Sequence, residues 1–350
     1  MARKPNSFMA VVTVAVLSGA VVGCSKASTV TSGSFKSLPR HVYAPYYETY
    51  RAPHGAGIAA TERASGGTYF TLAFLQSTGK NSCRLDWNGR AAQPLAYYAA
   101  DIAALRAAGG DVIPSFGGFS ADQGGTEIAD SCTSANSIAA DYEAVIRTLG
   151  ATRLDMDVEA RSLKNAAGID RRNEAIALTQ RWAKQEGIPL QVQYTLPANQ
   201  HGLDADGQRV LHNAIRHGAA VASVNLMAFD YYTGGAGAVN MGQAAVNAAT
   251  GAHAQLASIY RNLSSASLWN MEGLTLLPGI DDNISKTEVT YLTDARTVLA
   301  FAQARGLNFL SIWAIQRDNG GCPGTPDSNT CSGIQQDSWL FSQVLEPFTS

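Results

Sequence analysis

Apolar and polar positions repeat in a regular way from His41 to the end of the chain. Short runs rich in β-branched and aromatic residues, typical of buried strands, are separated by longer stretches whose apolar residues recur every three or four positions, as in helices packed on a sheet. Eight strands are predicted, at Val42–Glu48, Tyr69–Gln76, Val112–Gly117, Leu154–Glu159, Gln191–Leu196, Val224–Tyr231, Leu274–Ile280 and Phe309–Ile315. The clearest helical patterns between them are Pro94–Ala108, Ser137–Leu149, Arg171–Glu186, Ala244–Asn262 and Glu288–Arg305.

Strands that alternate with helices imply parallel pairing, and eight such units imply an α/β fold, a closed (β/α)8 TIM barrel. A doubly wound sheet is the alternative, but no G-x-G-x-x-G sequence follows a strand and opens a helix. The stretch 281–308, between the seventh and eighth predicted strands, has room for one helix and its loops. We therefore expect a single-domain barrel with no α+β insertion between strands 7 and 8.

The first 23 residues have the pattern of a secretion signal. Arg3 and Lys4 form a basic start, and Phe8–Val22 form an apolar stretch that is short for a bilayer span. The apolar stretch ends in Val21-Val22-Gly23-Cys24, which resembles the lipobox of bacterial lipoproteins, in which the cysteine is lipidated. Ordinary signal cleavage near this point, which would release a free protein, is the alternative. Both readings predict export from a bacterial cell, either lipid-anchored at the envelope or secreted.

Residues 24–40 are rich in Ser and Thr and are predicted to be a tether, and residues 41–350 then form one catalytic domain. The net charge is −2 and the chain has no basic run, which argues against a nucleic-acid partner. Membrane contact is expected only through a lipid on Cys24, and we expect a monomer. Setting Cys24 aside leaves an even number of cysteines, which suits an exported protein with disulfides.

Three acids alternate with apolar residues on the fourth predicted strand: Asp155, Asp157 and Glu159. Alternate side chains of a strand share a face, so the three carboxyl groups lie together and at least one should have a raised pKa. A neutral carboxylic acid beside ionised ones is typical of glycoside hydrolysis. The alternatives are a solvated edge strand or a Ca²⁺ loop, but a Ca²⁺ loop would place Gly and Asn between its acids.

The position of each acid along the strand predicts its role. The chemistry of such barrels lies at the carboxyl ends of the strands. Glu159 is the last residue of its predicted strand, so it should meet the substrate, while Asp157 supports it and Asp155, deepest in the barrel, holds Asp157.

With these residues in view, the chain resembles glycoside hydrolase family 18, the chitinases. Asp155–Glu159 match the second half of the family's D-G-x-D-x-D-x-E signature, and Ser115–Gly118 match its S-x-G-G signature on the third strand. Met227–Tyr231 resemble the sixth-strand motif, and Trp313 matches the aromatic floor of the site. The resemblance covers residues 41–348. Two further stretches, Gln191 through Gly202 and the Cys322–Cys331 tail, are similar to the bacterial chitinase D-like group.

Two departures from the family pattern affect the expected site. Thr152 and Arg153 stand where the signature has Asp-Gly. This difference should change the pKa values of the stacked carboxylates without abolishing activity. Phe229 stands where many members carry the Tyr that binds the substrate's acetamido carbonyl, so Tyr231 would have to supply that hydroxyl. On a regular strand Phe229 and Tyr231 face the same side, and Tyr232 would point toward the helices.

The resemblance implies substrate-assisted hydrolysis with retention of configuration. Glu159 would protonate the glycosidic oxygen, and the carbonyl oxygen of the sugar's own 2-acetamido group would be the nucleophile. Asp157, oriented by Asp155, would accept the acetamido N–H and stabilise the positive charge. Tyr231 would orient the acetamido carbonyl, and its alternative is an ordinary rim tyrosine.

Four residues are predicted to bind substrate. Trp313 would form an apolar platform under the reacting sugar, although a Trp at a strand end also packs as a core residue. Met227 and Asp230 belong to the sixth-strand motif, and Tyr46 is a candidate for stacking on a sugar at an outer subsite. The histidines have no metal-ligand spacing, so no metal and no organic cofactor are implied.

The cysteines are predicted to form Cys83–Cys132 and Cys322–Cys331. The second pair closes a short loop that contains Pro and Gly, and the first ties together the loops after the second and third strands, which are neighbours in the barrel.

The leading interpretation is an endo-acting chitinase, because the missing α+β lobe leaves an open cleft. The substrate would be chitin or chito-oligosaccharides. An endo-β-N-acetylglucosaminidase acting on glycoprotein glycans is an alternative with the same chemistry. A chitin-binding lectin without activity is a second, but such members typically lose the acid, and Glu159 is present.

Overall fold

The computed structural model describes residues 1–2, 35–51, 57–232, 238–282, 287–326 and 328–350. Residues 35–350 form one compact unit. The predicted signal segment and Cys24 lie outside the described residues. In the part of the chain that is described, no helix combines the length and the apolar content needed to cross a bilayer.

The strands are β1 Val42–Tyr43, β2 Tyr46–Glu48, β3 Tyr69–Ser77, β4 Leu85–Trp87, β5 Asp111–Gly117, β6 Arg153–Asp157, β7 Gln191–Asn199, β8 Gly202–Leu203, β9 Ser223–Met227, β10 Glu272–Leu276, β11 Gly279–Ile280, β12 Val289–Thr290 and β13 Phe309–Ile312. The α-helices are α1 Gly57–Ser65, α2 Ala99–Ala107, α3 Phe119–Gly124, α4 Ile128–Ser131, α5 Ala135–Leu149, α6 Ala166–Gln185, α7 Ala205–His217, α8 Met241–Ile259, α9 Ser265–Trp269, α10 Leu292–Arg305 and α11 Leu340–Leu345.

The parallel strands close into a barrel, as predicted. Their order around the sheet is β1-β13-β10-β9-β7-β6-β5-β3-β2. The first predicted strand is split at Pro45, which has no N–H for the ladder: β1 pairs with β13 and β2 pairs with β3. The two halves of this strand therefore join the two ends of the sheet. The short strands β4 and β8 pair antiparallel with β3 and β7.

Helices begin and end at residues that satisfy their free backbone groups. The side chains of Ser134, Asn165 and Asp204 cap the first turns of α5, α6 and α7 by accepting backbone N–H groups. Gly150 ends α5 at a φ of 63°, which glycine adopts without steric cost. The described chain between β10 and β13 consists of the antiparallel pair β11–β12 and helix α10, in addition to loops.

Four of the observed strands, β6, β9, β10 and β13, end earlier than predicted, whereas β3 and β7 run past their predicted ends. β6 ends at Asp157, β9 ends at Met227 and β13 ends at Ile312. Glu159, Tyr231 and Trp313 accordingly lie on loops just beyond the strands. The backbone leaves the sheet at these points, which periodicity alone does not reveal.

The end of the predicted tether packs on the barrel. Phe35 contacts the main core, and the carbonyl of Lys36 accepts the hydroxyl of Thr152 at 2.9 Å. Leu38 packs against a cluster that includes Val42. The compact unit thus begins at Phe35, before the predicted boundary at residue 41, because the apolar side chains at 35 and 38 find partners at the base of the barrel.

Candidate active site

The acids of β6 share the inner face of the barrel, as the alternation predicts. Leu154, Met156 and Val158 are each about 1 % exposed and belong to the main apolar core around the barrel. Asp155 and Asp157 point the other way and are buried. The strand pairs with β5 and β7 on its two sides, which fixes the height of each carboxylate in the barrel.

Asp155 is held by four hydrogen bonds. Its Oδ2 accepts the hydroxyls of Tyr46 at 2.8 Å and Ser115 at 2.7 Å. Its Oδ1 accepts Thr195 Oγ1 at 2.7 Å and Gln193 Nε2 at 3.0 Å. Burial raises the pKa of Asp155, and these bonds oppose the rise because they favour the charged form. Protein groups thus take the place of water around the Asp155 carboxylate and hold it fixed at the base of the site.

Asp157 lies one step nearer the barrel mouth and is less well satisfied. It is 3 % exposed, and its Oδ1 has no hydrogen-bond partner among the described residues. Burial raises its pKa well above the usual range, and the carboxylates of Glu159, Asp155 and Asp122 raise it further. A group in this state is ready to accept a donor from a bound ligand.

Glu159 lies two residues beyond the end of β6 and is partly buried. Burial of its carboxyl group raises its pKa to about 7, with the main-chain N–H of Phe119 opposing the rise and Asp282 adding to it. A carboxyl with this pKa can both donate and accept a proton near neutrality, which is what general acid–base catalysis requires.

Trp313 belongs to an aromatic group that includes Tyr46, the residue whose hydroxyl donates to Asp155. Its ring stacks on Phe74 with centroids 5.5 Å apart, and meets the edge of Tyr46 at 5.4 Å. Trp313 is partly exposed, so one part of the ring remains open to a ligand. Sequence reasoning missed Phe74, which lies inside β3 and resembles any buried strand residue.

Tyr46 lies deeper than expected. It is 1 % exposed, and its hydroxyl is engaged with both Asp155 and Thr195. Its ring is not free to stack on a sugar at an outer subsite, and this expectation is corrected. The split of the first strand at Pro45 turns Tyr46 into the barrel, where its hydroxyl completes the anchor of Asp155.

The sixth-strand motif also departs from a regular strand. Met227 ends β9 and is 8 % exposed, and the backbone then turns with positive φ at Asp230 (52°) and Tyr232 (50°). Tyr231 packs partly against the core, and its buried hydroxyl has no partner among the described residues. Its main-chain N–H donates to Glu288 Oε2 at 2.9 Å.

Tyr232 does not point toward the helices, and that expectation is corrected. It is 68 % exposed. Desolvation together with the charges of Asp230, Asp282, Asp281 and Glu159 raises its pKa to about 12. The positive φ values break the alternation on which the expectation rested, so Tyr231 and Tyr232 both lie at the edge of the site.

Asp230, Asp281 and Asp282 form an acidic cluster in which one oxygen of each lies within 4.8 Å of the others. Burial and then the charge of Asp281 raise the pKa of Asp230 to about 10, so Asp230 holds a proton at neutral pH. The buried guanidinium of Arg317 interacts electrostatically with all three carboxyl groups. The charge of Arg317 therefore offsets part of the negative charge of the cluster.

Arg153 fills the base of the carboxylate column. It is 2 % exposed, and its guanidinium donates to Gln191 Oε1 at 2.7 and 3.0 Å. It shares the inward face with Asp155. Burial lowers the pKa of Arg153 to about 10, and the charge of Asp155 opposes this shift. The departure from the Asp-Gly pattern thus places a cation beneath the acids.

The two predicted disulfides are present. Cys83 bonds Cys132 with Cα atoms 4.5 Å apart, and Cys322 bonds Cys331 with Cα atoms 5.9 Å apart. The first ties the loop between β3 and β4 to the end of α4, and the second closes the loop that follows β13.

A carboxylate column at the mouth of a (β/α)8 barrel, with S-x-G-G on the strand beside it, decides the family. The chain belongs to the glycosyl hydrolases of family 18. The model of that family matches residues 40–278. The fold, the Ser115 contact with Asp155 and the position of Glu159 agree with this membership.

Relatives and solved structures carry chitinase names. The chain is 34 % identical over 322 residues to a probable bifunctional chitinase/lysozyme of Escherichia coli (strain K12), covering 90 % of this chain and 35 % of that protein. It is 35 % identical over 289 residues to endochitinase 11 of Metarhizium anisopliae, covering 81 % of this chain and 53 % of that protein. The chain thus spans about a third and about half of these relatives.

A solved structure resembles almost the whole chain. It is active domain 2 of the thermostable chitinase from Pyrococcus furiosus, in catalytic site mutants complexed with chito-oligosaccharides. The TM-score is 0.78 at 28 % identity, covering 90 % of this chain and 97 % of that one.

Proposed function

We propose that this family 18 domain is a chitinase that hydrolyses β-1,4 bonds between N-acetylglucosamine units by substrate-assisted, retaining catalysis. One observation carries the proposal: Asp157 Oδ1 and the hydroxyl of Tyr231 are both buried and without partners in the described structure. A 2-acetamido group offers one N–H donor and one carbonyl acceptor, which match these two groups.

The reaction begins with the neutral form of Glu159, which a pKa of about 7 keeps available. Glu159 gives its proton to the glycosidic oxygen as the bond to C1 breaks, and the acetamido carbonyl oxygen forms a new bond to C1. The product of this step is an oxazolinium ion, with the leaving sugar released as an alcohol. Glu159, now ionised, removes a proton from water as the water attacks C1 and reopens the ring.

Asp157 stabilises the intermediate. Its Oδ1 accepts the acetamido N–H. This donor and the positive charge of the oxazolinium ion favour the ionised form of Asp157, whose charge in turn stabilises the ion. Asp155 cannot turn toward the sugar because its four hydrogen bonds hold it. It acts by fixing Asp157, and its negative charge raises the pKa of Asp157. Trp313, stacked on Phe74, supplies the apolar floor under the reacting sugar.

The lack of a larger α+β lobe in the described chain between β10 and β13 supports endo-type cutting. That part of the chain contributes the β11–β12 pair, α10 and loops. The names of the two curated relatives, endochitinase and chitinase/lysozyme, support polysaccharide substrates. We further propose that the chain belongs to the chitinase D-like group, acts as a monomer, and is exported with Cys24 as a lipid anchor.

The test compares wild type with Glu159→Gln on chitin, chito-oligosaccharides, fully deacetylated chitosan, peptidoglycan and a high-mannose glycoprotein. We expect cleavage of the first two with retention of anomeric configuration, no cleavage of chitosan, and a loss of at least about 10²–10⁴-fold in turnover in Glu159→Gln. Equal cleavage of chitosan would contradict the substrate-assisted mechanism. Cleavage of the glycoprotein alone would favour the endo-β-N-acetylglucosaminidase, and binding without cleavage would favour a lectin.

A further inference from the structure

The short helix α3 contacts the catalytic acid through a residue that the family signatures do not include. Asp122 on α3 is fully buried, and its Oδ2 accepts the main-chain N–H of Glu159 at an N···O distance of 2.5 Å. The preceding N–H, that of Val158, still bonds to Thr195 in the sheet. Glu159 is thus the first residue after β6 whose N–H has left the sheet, and Asp122 takes the place of the lost strand partner.

The same helix also reaches the Glu159 side chain. The main-chain N–H of Phe119, the first residue of α3, hydrogen-bonds the Glu159 carboxylate and lowers its pKa against the effect of burial. α3 therefore holds Glu159 at both its backbone and its carboxyl group. A residue on a loop would otherwise be free to rotate its main chain and move its carboxyl group.

Two glycines allow α3 to lie this close to β6. A Cβ on Gly117 would lie 2.2 Å from the carbonyl oxygen of Asp157 and 3.1 Å from Asp122 Oδ1. Gly117 also has a φ of 94°, which favours glycine. The N–H of Gly118 donates to the same Asp157 carbonyl at 3.3 Å. The glycines of the S-x-G-G sequence therefore give the space in which Asp122 meets Glu159.

Asp122 is in an unfavourable position for stability. Burial raises its pKa well above the usual range, the nearby Glu127 raises it further, and Arg172, which is paired with Glu127 at 2.6 Å, only partly offsets this. Its Oδ1 has no partner among the described residues. Burying a carboxyl with an unsatisfied oxygen costs free energy. What distinguishes Asp122 from Asp101, another buried acid with unpaired oxygens, is that its Oδ2 accepts the Glu159 N–H.

We propose that Asp122 is a positioning residue that aims the catalytic acid by holding the backbone of Glu159. The inference rests on the proposed function of Glu159. A displacement of about 1 Å at a reacting group can cost on the order of 10²-fold in rate, and the bond from Asp122 restrains displacements of this size. Asp122 does not touch the substrate, so its loss should reduce turnover without weakening sugar binding.

The experiment compares Asp122→Ala, which removes the acceptor, with Asp122→Asn, which keeps an oxygen for the Glu159 N–H. Asp101→Ala is the matched control, because Asp101 is also buried, on α2, and both its carboxylate oxygens lack partners in the described structure. We expect kcat on a chito-oligosaccharide to fall about 10- to 100-fold in Asp122→Ala with KM nearly unchanged, and Asp122→Asn to recover most of it. Asp101→Ala should leave kcat unchanged.

Hydrogen exchange of the peptide containing Glu159 gives a readout that needs no activity. Its amide should exchange faster in Asp122→Ala, return toward the wild-type rate in Asp122→Asn, and not change in Asp101→Ala. Unchanged exchange in folded Asp122→Ala, or a kcat loss that Asp122→Asn does not relieve, would overturn the proposal. A wild type inactive on all chito-oligosaccharides would count against the proposed function, while the exchange result would still decide whether Asp122 restrains Glu159.

Discussion

Asp155 and Asp157 share one face of β6, but the protein satisfies them very differently. Among the described residues, Asp155 receives four hydrogen bonds from the barrel interior, whereas Asp157 Oδ1 receives none. Two carboxylates this close cannot both ionise easily, so the hydrogen bonds favour charge on Asp155 and leave Asp157 with the raised pKa. The unequal environment leaves Asp157 Oδ1 available to a hydrogen-bond donor of a ligand, the role that the proposed mechanism gives it.

Activity should depend on the protonation of Glu159. Its pKa of about 7 means that the acid form predominates below neutrality, so kcat/KM should fall as the pH rises through about 7. Asp282→Asn removes a charge that raises this pKa and should move the alkaline limb to lower pH. The control is Asp170→Asn, on the outer helix α6. An alkaline limb that stays in place in Asp282→Asn would contradict the proposed electrostatic contact.

The two neighbouring tyrosines should differ in importance. Tyr231→Phe removes a buried hydroxyl that has no partner among the described residues. It should lower kcat about 10- to 1000-fold, the range for one charge-stabilising donor or less. Tyr232→Phe changes an exposed side chain and should have a much smaller effect. Steady-state kinetics of both variants decide the matter, and the reverse pattern would assign carbonyl binding to Tyr232.

Arg153→Met should alter the titration of the acids above it. The change keeps the bulk of the side chain but removes the cation that interacts with Asp155. Protonation of the Asp155–Asp157 pair then becomes easier, so the acidic limb of the pH–rate profile should move to higher pH. Arg147→Met, at an exposed pair with Glu143, is the control. If the acidic limbs of wild type and Arg153→Met superimpose, the charge of Arg153 does not affect the protonation of the Asp155–Asp157 pair.

Stability should fall as the pH rises from 7 to 9. Burial raises the pKa of Glu272 to about 9, so the folded state keeps a proton that the unfolded state loses near pH 4–5. Where the folded state binds more protons than the unfolded state, the free energy of unfolding falls as the pH rises toward the pKa of the folded state. His253, which bonds Glu272 at 2.8 Å, has a lowered pKa and is neutral throughout this range.

Glu272→Gln should show a smaller fall in melting temperature over the same range, because the amide does not titrate. Thermal unfolding at pH 7, 8 and 9 measures the slope for both proteins. Glu186→Gln, on the surface at the end of α6, serves as the control and should keep the wild-type slope. A wild-type protein that becomes more stable toward pH 9 would refute the assignment of a buried neutral acid at Glu272.

The sequence by itself determined the class of the fold and the face of β6 on which the acids lie. Strand and helix periods differ, so eight alternating units predict the barrel, and the period of two on residues 154–158 places Asp155 and Asp157 on the inner face. The same alternation reproduces the burial of Leu154 and Met156 on the outer face. These features depend on local geometry, which the order of residues specifies directly.

Only the tertiary structure decided where the strands end and what lies beside each acid. The turns after Met227, with positive φ at Asp230 and Tyr232, place Tyr232 as well as Tyr231 at the edge of the site. Tyr46 and Asp122 reach Asp155 and Glu159 from positions 109 and 37 residues away. Such contacts depend on how separate elements pack and on which buried polar atoms remain unpaired, and no repeat along the chain records either property.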